Sequence, residues 1–561
     1  MTIIAADSGR WATRAGRMAL MAPAALLLAL MLFWPLYSIV LRSLNQRGRA
    51  AFDSIYWGNY VAIAKDDLLR QVVLESLMLA VVATAITIIL SFPTSYIISR
   101  LSRQMSSLMM VVIVMPFWVS IIVRLFAFTT ILGQQGIINA ALALFDLGPF
   151  PLLYNTFATI TGMVAYLLPY LILVLVSAMR SIDVSLLTAA RTMGAAERQV
   201  FLDVYFPQIR PTLLSGTLLV FVLALGFFLT PAILGGPHNL TIPIFIQQQI
   251  QIYQWGKAAA MGVVLLLVSA AGYLVALRVG GKGILTPVQS GTRGAAADEP
   301  LKMTATTVLC WIALAMVMVI LISPLLIVIP TAFTETTQIR FPPLGFTWKW
   351  FAEVVTSDIW IGAFMKSVRV GIATAIVSTL AGLALARVGS RLGSGFWQGL
   401  IQVVAIAPLI VPVILLAIGI FDVQGRLGLI GTDAGLVLAH AVLCVPLTFL
   451  VMANALSFVD LSMEQASWTM GASHIKAFWS IVIPNIIPSV IGCLIIAFVT
   501  SWDEAVIAMF QTGFEKTLPV TIYSLLRSGI TPAVSAVAAI VTAPVLVGAL
   551  IYGVRAARNA N

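Results

Sequence analysis

The sequence predicts an all-α, polytopic membrane protein with about 12 transmembrane helices, arranged as two homologous six-helix halves. Hydrophobic residues make up 60% of the 561 positions and charged residues only 9%, so there is too little polar surface to cover the apolar volume in water. Apolar runs of about 20 residues, long enough to cross a bilayer core as a helix, recur along the chain. A polar segment of the first half is repeated in the second, which indicates the two halves.

The predicted spans form two sets of six. The first apolar run is too long for the core of a signal peptide and lacks a convincing cleavage site, so it is counted as a span. The first set is predicted at 17–41, 75–98, 106–128, 156–178, 212–235 and 258–278. The second set is predicted at 304–331, 364–388, 397–421, 435–457, 486–510 and 533–555.

Basic residues mark the predicted cytoplasmic side, because short arginine-rich loops stay inside the cell. Arginine and lysine cluster before span one, after spans two, six, eight and twelve, and between spans four and five. The sequence therefore predicts a multi-pass membrane protein with both termini in the cytoplasm. The net charge of +11 reflects these clusters, so no nucleic-acid partner is expected. Arg124 is the exception, since it lies inside predicted span three.

The predicted domain boundary is a glycine-rich stretch with mixed charge at about 280–302, which suits a flexible linker. The first half is assigned to 1–290 and the second to 291–561. The three cysteines lie inside apolar stretches without metal-ligand spacing, so neither a metal site nor a disulfide is expected.

The internal repeat is strongest in a polar loop. A shift of 277 positions aligns 183–211 with 460–488 and gives 11 identities in 29 positions, including Gly194 with Gly471 and Pro207 with Pro484. Random pairing would give about two identities. Each copy is predicted to be a short helix begun by Ser185 or Ser462, the latter with Gln465 in a capping box. Because both copies lie on the cytoplasmic side, something outside the membrane is expected to contact each of them.

These loops resemble the signature of binding-protein-dependent permeases of type I ABC importers, in the fused form with two halves in one chain. That signature is glutamate-alanine-alanine, three residues, glycine, and a proline 13 positions later. It reads TAARTMGAAERQVFLDVYFP at 188–207 and QASWTMGASHIKAFWSIVIP at 465–484. Neither copy has the first glutamate, although Glu464 lies one residue before the second. The residues that match the signature positions are Thr188, Ala189, Ala190, Gly194, Ala195 and Pro207, and Gln465, Ala466, Ser467, Gly471, Ala472 and Pro484.

The resemblance implies that each loop is a coupling helix seated in a cleft on one of two nucleotide-binding ATPase subunits. It also implies a location in the bacterial inner membrane and a periplasmic solute-binding protein as a partner. The chain has no G-x-x-x-x-G-K-[ST] phosphate loop, so it is expected to be a transporter subunit rather than an enzyme. ATP and Mg would then be bound by the partner subunits, with no cofactor bound by this chain.

Two further segments, 225–240 and 501–513, resemble spermidine and putrescine permeases, which suggests a polyamine or similar cationic amine as the solute. Asp503 and Glu504 would lie in the outer half of the membrane, where carboxylates are costly and are functional candidates. Beside Trp502 they could hold an ammonium group. The residues aligned with the two acids in the first half are Gly226 and Phe227, so such a site would be one-sided. The alternative is that span eleven ends early and both acids are hydrated or paired with a nearby basic residue.

Other readings stay open at this point. Related fused permeases carry ferric iron or aminophosphonates, and composition does not separate these solutes from amines. A facilitator of the major-facilitator class also has twelve spans in two halves. It gives no reason for twin cytoplasmic loops, and the loop between spans two and three lacks its arginine-rich signature.

Overall fold

The computed structural model describes residues 16, 19–46, 48–50, 55–237, 239–280, 304–337, 341–392, 395–528 and 531–558. All regular elements in these ranges are helices, and no strand occurs in them, so the predicted all-α class is confirmed. The predicted linker and the boundary near residue 290 fall in 281–303, outside the described residues, and stay predictions.

The helices used below are labelled in chain order. Those of the first half are α1 (Ala19–Ser43), α2 (Asp67–Arg100), α3 (Arg103–Val114), α4 (Ile121–Leu132), α5 (Thr156–Arg180), α6 (Val184–Thr192), α7 (Phe206–Leu225), α8 (Leu229–Leu234), α9 (Ile242–Gln251) and α10 (Trp255–Gly280). Those of the second half are α11 (Ala305–Thr331), α12 (Asp358–Arg391), α13 (Phe396–Ile406), α14 (Val413–Leu427), α15 (Asp433–Ser457), α16 (Leu461–Thr469), α17 (Ile483–Asp503), α18 (Val506–Gln511), α19 (Leu518–Ser528) and α20 (Pro532–Arg558).

The number of spans is slightly lower than predicted. Within the described ranges, 10 helices are long and apolar enough to cross a membrane, and 11 if the bent pair Phe396–Leu409 and Val413–Leu427 is one span. The two parts of that pair meet at 98°. The polytopic fold is therefore confirmed, while four of the predicted spans are not continuous helices, two of them interrupted at a proline.

Prolines explain those two interruptions. The predicted span at 106–128 stops in a 3-10 turn at Met115–Trp118 that contains Pro116, and the span at 397–421 stops in one at Ala407–Leu409 that contains Pro408. Proline lacks the N–H that an α-helix needs and its ring clashes with the preceding turn. The chain restarts as α4 and α14 after each turn.

The fifth predicted span of each half is also broken. α7 ends at Leu225 and α8 begins at Leu229, while α17 ends at Asp503 and α18 begins at Val506. The continuous spans predicted at 212–235 and 486–510 are thus wrong in their C-terminal parts. Because the two breaks lie at aligned positions, the interruption belongs to the repeated architecture.

One compact unit takes in the described residues of Met1–Arg42, Ala50–Phe52 and Gly362–Val520. In it α1 packs against α14 and α15. The Ser38 hydroxyl donates to the Asp422 carboxylate at 2.5 Å, and Arg42 forms an ion pair with the same carboxylate. Gly419 allows the helices to approach closely, since a Cβ there would lie 2.6 Å from Cβ of Pro35. The first span of the chain is therefore held by helices of the second half.

The other unit takes in the described residues of Ser43–Arg49, Asp53–Ile361 and Thr521–Asn561. In it α2 packs along α5, and α11 packs against α2, α4 and α20. The Thr331 hydroxyl of α11 donates to the Ser535 hydroxyl of α20 at 3.2 Å. Arg124 on α4 is buried, with its guanidinium 5.4 Å from the centre of the Tyr166 ring. The intramembrane arginine of the sequence thus faces an aromatic ring inside the protein.

Candidate functional site

The first repeated loop begins with a capped helix. The carboxylate of Asp183 accepts the backbone N–H of Ser185 at 2.9 Å and starts α6. A turn at Gly194 follows, and the backbone N–H of Ala196 then donates to the Gln199 side chain at 3.0 Å. The chain continues through a π-helical turn at Val200–Tyr205 into α7.

The second loop repeats this geometry. Asp460 accepts the backbone N–H of Ser462 at 2.9 Å and starts α16. Beyond the turn at Gly471, the hydroxyl of Ser473 accepts the backbone N–H of Lys476 at 3.2 Å. A π-helical turn at Phe478–Val482 leads into α17.

The prediction that Ser185 and Ser462 begin these helices is wrong. In both copies the capping residue is the aspartate two positions earlier, and each serine lies in the first helical turn. Aspartate caps helices as well as serine does, so sequence preference alone does not separate them. The donated backbone N–H, with a smaller contribution from the serine hydroxyl, holds the pKa of Asp183 and of Asp460 below the ordinary value.

A glycine in the left-handed conformation closes each helix, with φ of 88° at Gly194 and 86° at Gly471. The N–H of Gly194 donates to the Arg191 carbonyl at 2.9 Å, and the N–H of Ala195 donates to the Ala190 carbonyl at 3.1 Å. The second loop has the same two bonds, at 3.0 Å each. This pair of bonds defines a Schellman turn, which favours glycine because a Cβ is strained at such φ values.

The residues that match the family signature have the same exposure in both loops. Thr188 and Gln465 are exposed, as are the first alanine, the glycine and the final proline of each copy. The third and last small residues of each signature are partly buried, namely Ala190 and Ala195 in the first copy and Ser467 and Ala472 in the second. Two equivalent small-residue surfaces are therefore available to a partner.

A methionine stands out next to each glycine. Met193 and Met470 are each 86% exposed and occupy aligned positions at the ends of α6 and α16. Both are among the identical residues of the repeat, but methionine is common both in protein cores and on interaction surfaces, so the sequence did not indicate their exposure. Single exposed apolar side chains are common, but here the same residue is exposed at the same position of two repeated loops, next to the small-residue surface of each.

The predicted pathway residues lie at the break between α17 and α18. Trp502 stacks on Phe498 with ring centres 5.9 Å apart and meets Phe364 edge-on at 5.5 Å. Asp503 is the last residue of α17, and the next residue, Glu504, has an extended backbone. One carboxylate oxygen of Glu504 accepts the backbone N–H of Ile507 at 2.8 Å. The two acids thus occupy a helix break rather than the middle of a continuous span.

Phe227 lies at the aligned break between α7 and α8, in the other compact unit. Its ring meets the Tyr166 ring edge-on at 5.1 Å, and the Tyr166 and Tyr170 hydroxyls are 3.1 Å apart. The first half therefore has an aromatic cluster where the second half has carboxylates. The roles of these pathway residues and of the coupling residues stay predictions.

The helical fold, the paired breaks and the two repeated loops define a class of protein, the multi-pass permease subunit of an ABC importer. Residues 87–281 and 378–560 match the family described as binding-protein-dependent transport system inner membrane component, and the chain belongs to that family. Because the domain occurs twice, the chain is a fused permease with two halves. This assignment favours the importer over the facilitator reading.

Curated relatives carry polyamine names. The spermidine/putrescine permease protein PotB of Escherichia coli K12 is 30% identical over 253 residues, which is 44% of this chain and 92% of the relative. PotB of Haemophilus influenzae is 33% identical over 36% of this chain and 72% of its own length. The putrescine permease protein PotI of E. coli K12 is 29% identical over 39% of this chain and 81% of its own length. Each relative thus corresponds to less than half of this chain.

Among solved structures, a bacterial ABC transporter involved in the import of the acidic polysaccharide alginate is similar at 17% identity, with a TM-score of 0.42. The similarity covers 50% of this chain and 99% of the other. A second alginate transporter structure, in complex with an alginate pentasaccharide-bound periplasmic protein, has a TM-score of 0.40 at 17% identity and covers 47% of this chain and 93% of the other.

Proposed function

We propose that this chain forms the translocation pathway of an ATP-driven importer of polyamines or similar cationic amines. The observation that carries the proposal is the pair of Schellman-closed helices α6 and α16, each with an exposed small-residue surface and an exposed methionine at its end. Two copies of one docking surface call for two copies of one partner.

Each loop would seat in a cleft of a nucleotide-binding ATPase subunit, so that two such subunits serve one chain. Closure of those subunits around ATP and Mg would draw the loops together, and α7 and α17 would move with them. A periplasmic solute-binding protein would deliver the solute from the other side. In this arrangement the loops and both termini lie in the cytoplasm of a bacterial cell.

The solute is inferred from the second half and from the relatives. Asp503 and Glu504 place two carboxyl groups at one helix break, directly after Trp502 with its two ring neighbours. Because carboxylates in a membrane segment are energetically costly, they are candidates for a functional role. The aromatic face of Trp502 adds attraction for an ammonium group. PotB and PotI, whose names state spermidine and putrescine transport, agree with this chemistry.

The test is reconstitution of the chain with its ATPase and binding protein in proteoliposomes. Uptake and solute-stimulated ATP hydrolysis are measured for spermidine, putrescine, ferric iron and an aminophosphonate. The proposal expects both signals with a polyamine and neither when the ATPase is left out. Uptake that persists without the ATPase would overturn the coupling. Stimulation by iron or phosphonate alone would overturn the solute assignment.

A further inference from the structure

Glu464 lies on the exposed helix α16, yet its side chain is only 1% exposed. It faces the last turns of α12, which presents two arginines one turn apart. Arg387 approaches both carboxylate oxygens at 2.9 Å, one through each terminal nitrogen. Arg391 forms an ion pair with the same carboxylate. Oε2 of Glu464 accepts hydrogen bonds from both arginines, whereas Oε1 makes only the ion-pair contact with Arg387, so one carboxylate is shared by two charge-assisted contacts.

The two arginines are also held by rings of the second loop. The guanidinium of Arg387 lies 5.4 Å from the Phe478 ring centre, and that of Arg391 lies 5.5 Å from the Trp468 ring centre. Trp468 in turn contacts His474 with ring centres 4.4 Å apart. The end of α12 is therefore attached to the loop on both sides of the turn at Gly471.

The first loop is attached differently. The residue aligned with Glu464 is Leu187, which is buried and uncharged. α2 and α12 are both 34 residues long and both end in Ser-Arg, so Tyr96 corresponds to Arg387. Tyr96 packs edge-on against Tyr205 at 5.7 Å and Phe201 at 6.4 Å. Apolar and aromatic contacts thus replace Glu464 and Arg387 in the first half, whereas Arg100, which corresponds to Arg391, is kept and lies 4.6 Å from the Tyr96 ring centre.

We propose that Glu464 is a positioning residue that makes α16 and the end of α12 move as one body. Movement of the second loop is then transmitted to the membrane-spanning helix α12 by this ion pair. Buried charges keep each other in place because separation leaves an uncompensated charge in a poorly solvated site. The family signature has its glutamate one residue later, at Gln465, which is exposed. The inference rests on the proposed coupling role of this loop, but not on the identity of the solute.

The experiment uses the complete transporter, with the ATPase and binding protein, and compares Glu464→Gln with wild type. Spin labels at positions 463 and 392, both exposed, report the distance between α16 and the end of α12 after the three native cysteines are replaced by alanine. Uptake per ATP hydrolysed is measured in the same preparation. We expect a broader distance distribution and an uptake per ATP lower by about fivefold, the effect of losing roughly 1 kcal/mol of coupling. Glu464→Asp keeps the charge and should recover part of both.

The matched control is Asp67→Asn at the start of α2, outside both loops, which removes a carboxylate that pairs with Arg70 but is 90% exposed. It should leave both readouts unchanged. If Glu464→Gln does not insert, the double variant Glu464→Gln with Arg387→Gln removes one charge of each sign and leaves the net charge of the site unchanged. The proposal fails if the distance distribution of the inserted variant matches wild type. It also fails if the distribution broadens while uptake per ATP is unchanged. A solute other than a polyamine would alter neither comparison.

Discussion

The glycine that closes each repeated helix gives the sharpest test of the coupling loops. Gly471 has φ of 86°, and a Cβ added there meets nothing within 4 Å in the described chain. Alanine at this position would therefore suffer backbone strain but no clash, at a cost of about 1–2 kcal/mol. A cost of about 1 kcal/mol lowers the equilibrium constant for the native turn roughly fivefold.

Three substitutions separate strain from docking. Gly471→Asn should behave nearly as wild type because asparagine tolerates left-handed φ values better than other residues. Gly471→Ala should lower uptake per ATP by about 5- to 30-fold, from strain alone. Gly471→Trp carries similar strain but adds a large side chain outside the protein surface, so it should uncouple hydrolysis from uptake much further if a partner seats there.

The assay measures ATP hydrolysis and solute uptake in proteoliposomes that contain the chain and its ATPase. Gly399→Ala is the control, since a Cβ at Gly399 also meets nothing within 4 Å and its φ is not positive. The reasoning is refuted if Gly471→Trp is no more harmful than Gly471→Ala, because the glycine surface would then face no partner. Loss of membrane insertion in both would assign the glycine a purely structural role. Gly194 should repeat the series.

Three more predictions follow from the described contacts. Asp503→Asn with Glu504→Gln should lower uptake of a cationic solute about tenfold or more if the charges hold it, and since the amide oxygen introduced by Glu504→Gln can still accept the Ile507 N–H, unchanged uptake would mean that the acids are only hydrated or structural. Asp422→Ala should weaken the docking of α1, because it removes the carboxylate that accepts the Ser38 hydroxyl and pairs with Arg42. The change should be seen as a lower thermal midpoint in detergent, whereas Asp67→Ala, which breaks a largely exposed pair, should change the midpoint little. Asp460→Ala should speed amide exchange at Ser462 at neutral pH. In the wild type the same change should appear only in acid, because a lowered pKa means that the cap contributes fully above the ordinary aspartate pKa and is lost as the pH falls through the lowered pKa. Slow exchange in Asp460→Ala would show that the cap contributes nothing.

Much of the fold was predictable because hydropathy acts locally. Apolar runs located the helices, and the repeat located two loops whose glycine and proline spacing corresponds to the same turn in both. The interruptions at Pro116 and Pro408 could have been predicted, because each proline lies inside an apolar run that was counted as one continuous span. The break after Leu225 had only the weak signal of Gly226, which caps the helix, and the break after Asp503 had neither glycine nor proline beside it.

The site was predictable in spacing but not in direction. The small residues and the glycines of both loops took equivalent positions, whereas aspartate rather than serine began each helix. Glu464 was read only as a neighbour of the missing family glutamate. Its partners lie 77 and 73 positions away on another helix, and no local pattern connects charges over that distance.

The pairing of α1 with α14 sets an order on the biogenesis of this protein. Ser38 and Asp422 are 384 positions apart, so at about 5–20 residues per second a ribosome needs roughly 20–80 s to deliver the partner of a helix already in the bilayer. During that interval lipid must solvate the face of α1 that Gly419 later covers. A single polypeptide limits the wait, because the tether supplies the missing helix in a one-to-one ratio and at an effective concentration of order mM.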